Sequence, residues 1–242
     1  MNCLILAAGL GTRLRGISES KPLTPVGGVP LIERVICRAA LGGATRVVVV
    51  TGHQAERVEA FLAELESRLA LPIAWQRVAD WTLPNGHSVL AGASVLEGDY
   101  LLSMSDHLFD PEIVTRLIER RGAGVALAID RNLSGPLLDI DDATKVAVAA
   151  DGRIERIGKT LASYNAIDTG LFLATPALAA AIRADLAKGG GGSLSEGMQR
   201  LADAGLASTV DIGTARWIDV DSPAMLALAE DFVSDSAAIG QS

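Results

Sequence analysis

The stretch Cys3-Leu-Ile-Leu-Ala-Ala-Gly-Leu-Gly-Thr-Arg13 joins a short apolar run to a glycine-rich loop. The run from Cys3 to Ala7 predicts a strand buried beneath helices on both faces of a sheet. The glycines that follow let backbone amides approach a bound anion closely. Arg13 adds a bidentate phosphate donor, and Lys21 adds a compact positive charge. We therefore predict a first strand that ends in an anion-binding loop.

Beyond this loop, apolar runs alternate with segments of helical periodicity. The predicted strands are Arg46–Thr51, Pro72–Val78, Asp99–Ser105 and Gly124–Asp130. The predicted helices are Pro30–Leu41, Gln54–Ala70, Ser88–Leu96 and one that opens at Asp110–Pro111, with Asp110 as its N-cap. Because parallel strands are joined by right-handed crossovers, this alternation predicts an α/β fold with a doubly wound, mostly parallel, Rossmann-like sheet. Ligands bind such sheets beyond the carboxyl ends of the strands.

The second half of the chain has a different pattern. Asp151–Gly152 predicts a hairpin turn between two apolar segments. The other predicted elements are the hairpin strands Lys145–Ala149 and Arg153–Ile157, a strand at Ala166–Ala174, a helix at Thr175–Lys188, a capping box at Ser193–Glu196, a strand at Trp217–Val220 and a last helix from Ser222–Pro223. These elements predict a mixed C-terminal extension that adds strands to the sheet and covers one side of a cleft.

Composition and charge narrow the class of protein. The chain has 242 residues, enough for one sizeable α/β domain, and its net charge is −8. Nucleic-acid binding needs a basic face, so we do not expect nucleic acid as a partner. The N-terminal run predicts neither a signal peptide nor a membrane span, so we expect a cytoplasmic protein that does not bind membranes. Cys3 and Cys37 are predicted to be core residues rather than a disulfide or a metal site.

The first loop admits competing interpretations. A dinucleotide-binding fingerprint would need a third glycine where Leu14 stands, and an acid at the end of the second strand where Thr51 and Gly52 stand. A Walker loop would need Gly-Lys-Ser/Thr, which the sequence lacks here. The residues alone also allow a third interpretation, a plain glycine turn whose charged side chains are solvated.

Further polar residues follow the third and fourth predicted strands. Asn85–Gly86 is typical of a turn, and Ser88 is suited to cap the next helix. Asp106 comes just after an apolar strand, so it is predicted at the same sheet edge as Arg13 and Lys21. A turn and a cap alone would also explain Asn85–Ser88. The concentration of cations, amide and acid at one edge nevertheless favours a binding site.

The pattern strand-LAAGLGTR followed by Lys21-Pro22 resembles the signature of the sugar-phosphate nucleotidyltransferase family, and the resemblance extends over essentially the whole chain. It implies an Mg²⁺-dependent enzyme that transfers a nucleoside monophosphate from an NTP to a phosphorylated polyol or sugar and releases pyrophosphate. It implies catalytic roles for Arg13, Lys21 and Asp106. The nucleotide-binding residues that it implies are Leu6, Ala7, Ala8, Gly9, Gly11, Thr12, Arg13, Lys21, Gln76, Asn85, Gly86 and Ser88.

The resemblance also implies a metal site. Asp106 matches the acid that holds Mg²⁺ in the family, and a second acid comes from Trp217-Ile-Asp-Val-Asp-Ser-Pro223. Asp219 and Asp221 lie two residues apart and so share a strand face. Relatives with a Trp-x-Asp pattern favour Asp219, and relatives with an Asp-Thr-Pro pattern favour Asp221. We prefer Asp221 and retain both.

The acceptor side is implied by a second group of residues. By resemblance Lys159 binds the phosphate of the acceptor, although a solvated hairpin lysine is the plain alternative. The strand residues Asp168, Thr169 and Gly170 line the acceptor pocket, and His107 contacts the acceptor or bonds locally rather than forming a zinc site. The implied organisation is one domain, 1–242, with a nucleotide-binding half (1–130), an acceptor-binding half (131–235) and a frayed tail (236–242).

Several short motifs indicate which branch of the family the sequence resembles. The sequence has Gly-Lys159 and Ala-Ile-Asp-Thr-Gly170 in place of the Glu-Lys-Pro form of sugar-specific branches, together with Met-Ser-Asp-His107, Asn-Gly-x-Ser88 and Ala-Thr-Lys145. These most resemble the inositol-1-phosphate cytidylyltransferase branch and imply CTP and inositol 1-phosphate as substrates. A hexose-1-phosphate or phosphocholine nucleotidyltransferase and a non-catalytic nucleotide- or sugar-phosphate-binding module remain alternatives. We expect a monomer or a homodimer.

Overall fold

Strands and helices alternate through the first half of the chain in the computed structural model, which describes residues 1–14, 16–120, 122 and 124–239. The strands are β1 (Asn2–Ala7), β2 (Pro25–Val26), β3 (Val29–Pro30), β4 (Arg46–Thr51), β5 (Ile73–Arg77), β6 (Tyr100–Met104), β7 (His107–Phe109), β8 (Val125–Asp130), β9 (Lys145–Val148), β10 (Ile154–Gly158), β11 (Ala166–Ala174), β12 (Ala207–Asp211) and β13 (Trp217–Asp219). The helices are α1 (Leu31–Leu41), α2 (Ala55–Arg68), α3 (Gly86–Ala93), α4 (Glu112–Glu119), α5 (Pro176–Ala187), α6 (Leu194–Asp203) and α7 (Pro223–Ile239).

The main sheet has parallel strands at its centre and mixed strands at one side. The strand order is β10-β9-β11-β6-β1-β4-β5. In addition, β8 pairs with β11, and β12 pairs with β8. The pairs β1–β4, β1–β6 and β4–β5 are parallel, whereas β11 runs antiparallel to both β6 and β8. This is the predicted mostly parallel sheet with a mixed C-terminal extension.

Alternate side chains of the central strands enter two separate cores. Ile5 belongs to the core that contains residues of α1, α2, α4 and α7, whereas Leu4 belongs to the core that contains residues of α3, α5 and α6. Val47–Val50 of β4 are fully buried, as the run of four valines predicted. Each such side chain contributes roughly 1.5–3 kcal/mol on burial, so the central strands form a rigid support for the loops that follow them.

Two predicted caps are wrong. Helix α4 has no side-chain cap, because the Asp110 carboxylate accepts the backbone N–H of Arg216 (2.9 Å) instead. Helix α3 begins at Gly86, so Ser88 lies buried in its first turn rather than capping it. The capping box of Ser193 and Glu196 is present as predicted.

Other differences concern the edges of the fold. Strand β12, which pairs in parallel with β8, was not predicted. Cys3 is buried in the core, but Cys37 is only half-buried, and both are free thiols. Helix α7 continues to Ile239, within the tail expected to fray, and 240–242 lie outside the described residues. Among the described helices, none combines the length and apolar character needed to cross a membrane.

Candidate active site

A cavity of about 350 Å³ lies beyond the carboxyl ends of β1 and β6. Parallel pairing of these strands brings their following loops to the same sheet edge. The predicted residues that line the cavity are Leu6, Ala8, Gly9, Gly11, Lys21, Asn85, Ser88, Asp106, His107, Lys159, Asp168, Gly170, Asp219 and Asp221. The structure therefore brings the loop cations and the predicted acids together.

A small two-stranded ribbon brings Asp219 beside Asp106. Strand β13 pairs antiparallel with β7 so that Asp219 lies opposite His107. The backbone N–H of Val220 donates to the carbonyl of Asp106 (2.8 Å), which fixes the register. Acids far apart in the sequence thereby meet at the end of β6.

Lys21 offsets part of the negative charge of this acid pair. Its ammonium group pairs with Asp106 Oδ2 and lies 3.9 Å from Asp219 Oδ1, and its side chain is only 13% exposed. Burial opposes the charged form of Lys21, but Asp106 and Asp219 raise its pKa. Burial would raise the pKa of Asp106, but Lys21 and His107 hold it well below its usual value. The ammonium group of Lys21 and the carboxylate of Asp106 are therefore both charged, and each stabilises the other.

Gly11 lets the first loop fold over Lys21. Its φ is +61°, and a Cβ added there would lie 2.5 Å from the Cβ of Lys21. A side chain at this position would therefore be strained and would displace the lysine.

A second cation, Arg13, pairs with acids from the other half of the chain. Its guanidinium contacts Asp221 and Asp142, the latter at 2.9 Å, and Lys159 also pairs with Asp142 at 2.8 Å. The hydrogen bond from Arg13 lowers the pKa of Asp142 to about 2, with Lys159 adding to the shift. Sequence reasoning missed Asp142, because an acid in Asp139-Ile-Asp-Asp142 is typical of a solvated loop.

The acids fit a divalent cation. Ligand atoms of Asp106, His107 and Asp219 lie within 4.8 Å of one another, as do those of Asp142, Asp219 and Asp221. Within the described part of the chain, the buried Oδ1 atoms of Asp219 and Asp221 accept no hydrogen bond. Burial raises the pKa of Asp219 to about 6, although the charge of His107 opposes the shift. Such under-coordinated carboxylate oxygens are the ligands that Mg²⁺ prefers.

His107 faces the acids rather than open solvent. Its Nδ1 lies 2.8 Å from Asp106 Oδ1 and 3.8 Å from Asp219 Oδ1. Burial opposes its charged form, but Asp219 and Asp106 raise the pKa of His107 to about 9. Its ring stacks on Trp217, with centroids 5.7 Å apart and planes inclined by 16°.

On the predicted acceptor side, Lys159, Asp168 and Gly170 line the cavity. The Asp168 carboxylate accepts the N–H of Gly170 (2.7 Å), and burial raises the pKa of Asp168 to about 6. Thr169 is fully buried, and its hydroxyl donates to the carbonyl of Ala128 (2.8 Å), so its side chain faces the core instead.

Other predicted nucleotide-binding residues do not line the cavity. These are Ala7, Thr12, Arg13, Gln76 and Gly86, although Arg13 reaches Asp142 and Asp221, which do line it.

Helices α3 and α6 meet at their N-termini beside the cavity. Gly86 packs against the backbone of Gly192, and the Asn85 side chain accepts the N–H of Leu194 (2.9 Å). Sequence reasoning missed four lining residues in this region, Trp81, Leu83, Leu194 and Ser195. An exposed aromatic in a loop was the available signal for Trp81, whereas the approach of α6 depends on long-range packing.

A family model for the MobA-like NTP transferase domain matches residues 3–204. The chain belongs to this family. The family assignment agrees with the loop that follows β1 and with the acids that face it. It confirms the nucleotidyltransferase resemblance noted in the motifs.

Two curated relatives are similar over nearly the whole chain. A Rubrobacter xylanophilus protein named bifunctional IPC transferase and DIPP synthase is 37% identical over 240 residues, which cover 98% of this chain and 52% of that protein. A Thermococcus kodakarensis protein of the same name is 32% identical over 221 residues, covering 91% and 48%. The chain thus spans about half the length of the curated relatives it matches.

A solved structure has the same fold. The inositol-1-phosphate CTP transferase from T. maritima superimposes with a TM-score of 0.82 at 25% identity, covering 93% of this chain and 90% of that one. The predicted fold class is confirmed, including the mixed side of the sheet.

Proposed function

We propose that this chain transfers a cytidylyl group from CTP to inositol 1-phosphate and releases pyrophosphate. The observation that carries the proposal is the similarity to the T. maritima inositol-1-phosphate CTP transferase, which extends over 93% of this chain. The short motifs around His107, Lys159 and Gly170 favour the same branch.

In this proposal the loop cations exchange partners when substrate binds. Lys21 is paired with Asp106, and Arg13 is paired with Asp142 and Asp221. A triphosphate offers both cations stronger acceptors, because phosphate oxygens suit the guanidinium fork and the ammonium group. Lys21 then stabilises charge on the α-phosphate, and Arg13 holds the phosphates that leave.

The acids freed by this exchange suit Mg²⁺. Asp106 would hold the ion together with Asp219 or Asp221, whose buried Oδ1 atoms lack hydrogen-bond donors among the described residues. When bound, the ion would neutralise charge on the phosphates and favour departure of pyrophosphate.

The acceptor enters from the side of residues 131–235. Lys159 orients the acceptor phosphate, and Asp168 accepts hydrogen bonds from polyol hydroxyls. An oxygen of this phosphate attacks the α-phosphorus, a new P–O bond forms, and the α–β P–O bond breaks with its electron pair going to pyrophosphate. The second pKa of a phosphate monoester is about 6, so the nucleophile is already ionised and needs no strong general base. Positioning and charge stabilisation therefore supply the catalysis.

A panel of substrates tests the proposal. Pyrophosphate release is measured with Mg²⁺, each of CTP, UTP, GTP and dTTP, and each of inositol 1-phosphate, glucose 1-phosphate and phosphocholine. Release with CTP and inositol 1-phosphate above all other pairs supports it. Preference for glucose 1-phosphate or phosphocholine overturns the assignment of inositol 1-phosphate as the acceptor. Nucleotide binding without pyrophosphate release from any pair indicates a non-catalytic module.

A further inference from the structure

His107 is clamped between two elements of the site. On one side its ring stacks on Trp217 of β13. On the other, Gly170 of β11 adopts a φ of +74°, and a Cβ there would lie 2.6 Å from Cδ2 of the imidazole. The side chain of His107 is only 13% exposed. The ring therefore has one well-defined orientation.

This orientation aims Nδ1 at the acid pair. Nδ1 lies 2.8 Å from Asp106 Oδ1, whereas the other oxygen of that carboxylate pairs with Lys21. A carboxylate only accepts hydrogen bonds, so Nδ1 carries the proton and donates it. The two oxygens of Asp106 thus have different partners: Oδ1 accepts from His107, whereas Oδ2 pairs with Lys21, which would release it when substrate binds.

Asp219 lies beside the same residue but accepts no hydrogen bond from it. It lies opposite His107 in the β7–β13 ribbon, and its Oδ1 is 3.8 Å from Nδ1. A donating Nδ1 cannot also be a metal ligand. The sequence predicted that His107 contacts the acceptor or bonds locally, and its contact with Asp106 is a local bond. Outer partners that hydrogen-bond to ligating carboxylates fix their orientation and tune the ion that they hold.

We propose that His107 is a positioning residue that, through its Nδ1–H donor, orients the carboxylate of Asp106 for a divalent cation held together with Asp219 or Asp221. The inference rests on the proposed function, because it assumes that these acids hold the ion. Trp217 and Gly170 restrict the ring, and the ring restricts the acid.

A pair of amide variants separates this role from simple space-filling. The amide nitrogen of Asn can occupy the position of Nδ1, whereas that of Gln reaches the position of Nε2. The affinity for Mn²⁺ is measured by electron paramagnetic resonance with CTP present and no acceptor. His107→Gln should weaken Mn²⁺ binding by about 10- to 100-fold, and His107→Asn should stay near the wild-type value. Both variants lose the imidazole that stacks on Trp217, so their melting temperatures should fall together.

The outcomes are distinguishable. Equal Mn²⁺ affinities for the Asn and Gln variants overturn the positioning role and leave the proposed function intact. Weaker binding of inositol 1-phosphate with unchanged Mn²⁺ affinity in His107→Gln also overturns it, in favour of an acceptor contact. A wild-type protein that binds no Mn²⁺ with CTP overturns both the proposed function and this inference. If the Gln variant does not fold, His107→Leu, which also lacks the donor, replaces it against Asn.

Discussion

Lys21 comes from the first loop, yet its ammonium group lies among acids from the end of β6 and from β13. A preorganised donor of this kind contributes about 10²- to 10³-fold to turnover. We expect Lys21→Ala to lower kcat by that factor in the pyrophosphate-release assay while circular dichroism remains that of a folded protein. Lys188→Ala, at an exposed position that follows α5, is the matched control and should keep full activity. Full activity of Lys21→Ala would contradict the assignment.

Asp168 gives a prediction about pH. Burial raises the pKa of Asp168 to about 6, above its value in an unfolded chain. The folded state therefore binds more protons between pH of about 4 and 6, and the free energy of unfolding falls as the pH rises through this window. Asn cannot ionise and still accepts the Gly170 N–H. Asp168→Asn should thus raise the melting temperature at pH of about 7.5 more than at about 4. If the difference in melting temperature between Asp168→Asn and the wild type is the same at both pH values, burial does not raise the pKa of Asp168.

The conformation of the first loop depends on the backbone of Gly11. Gly11→Ala should cost about 1–2 kcal/mol of left-handed strain and also push Lys21 out of place. We expect kcat to fall more than stability. Gly98→Ala is the matched control, because Gly98 has a φ of +70° and nothing lies within 4 Å of an added Cβ. The control should lose stability in urea but retain activity. Equal activities of the two variants would show that loop shape does not position Lys21.

The central elements were predictable because their signals are local. The valines of β4, the hairpin around Gly152 and the capping box at Ser193 each reside in a few neighbouring residues, and the structure has all three. Strand β12 was missed because Ala-Ser-Thr-Val-Asp is short and not strongly apolar. Its strand conformation depends on pairing with β8, and such long-range pairing leaves no local pattern.

The candidate site likewise combines parts that follow from local sequence with parts that depend on long-range packing. The first loop and Asp106 follow strands that the sequence predicts to be parallel, so their meeting at one sheet edge was predictable. Asp142 and the approach of α6 to Asn85 were not, because they depend on how the second half of the chain packs over the cavity. The cap predicted at Asp110 failed for the same reason, since Arg216 takes that carboxylate.

The whole molecule carries a net charge of −8, yet the first loop places Lys21 in the cavity and Arg13 against two of the acids that line it. Since Lys21 and Arg13 already pair with the acids, Mg²⁺ alone should stabilise the protein little. Mg²⁺ with CTP at about 100 times the Kd should add about 2.7 kcal/mol. This corresponds to a rise of about 5–10 °C in Tm for a domain of this size. Differential scanning fluorimetry checks this, and an equal rise with CTP in EDTA would contradict the shared metal site.

The β7–β13 ribbon has a consequence for biosynthesis. A ribosome makes the first loop before the other parts of the cluster, and it adds Asp219 only after the strands of the main sheet have been translated. A nascent chain that stops before β13 has Lys21 and Asp106 but no Asp219 to complete the cluster. On the proposed function, a chain that terminates before β13 lacks one acid of the cluster, so we expect it to release no pyrophosphate.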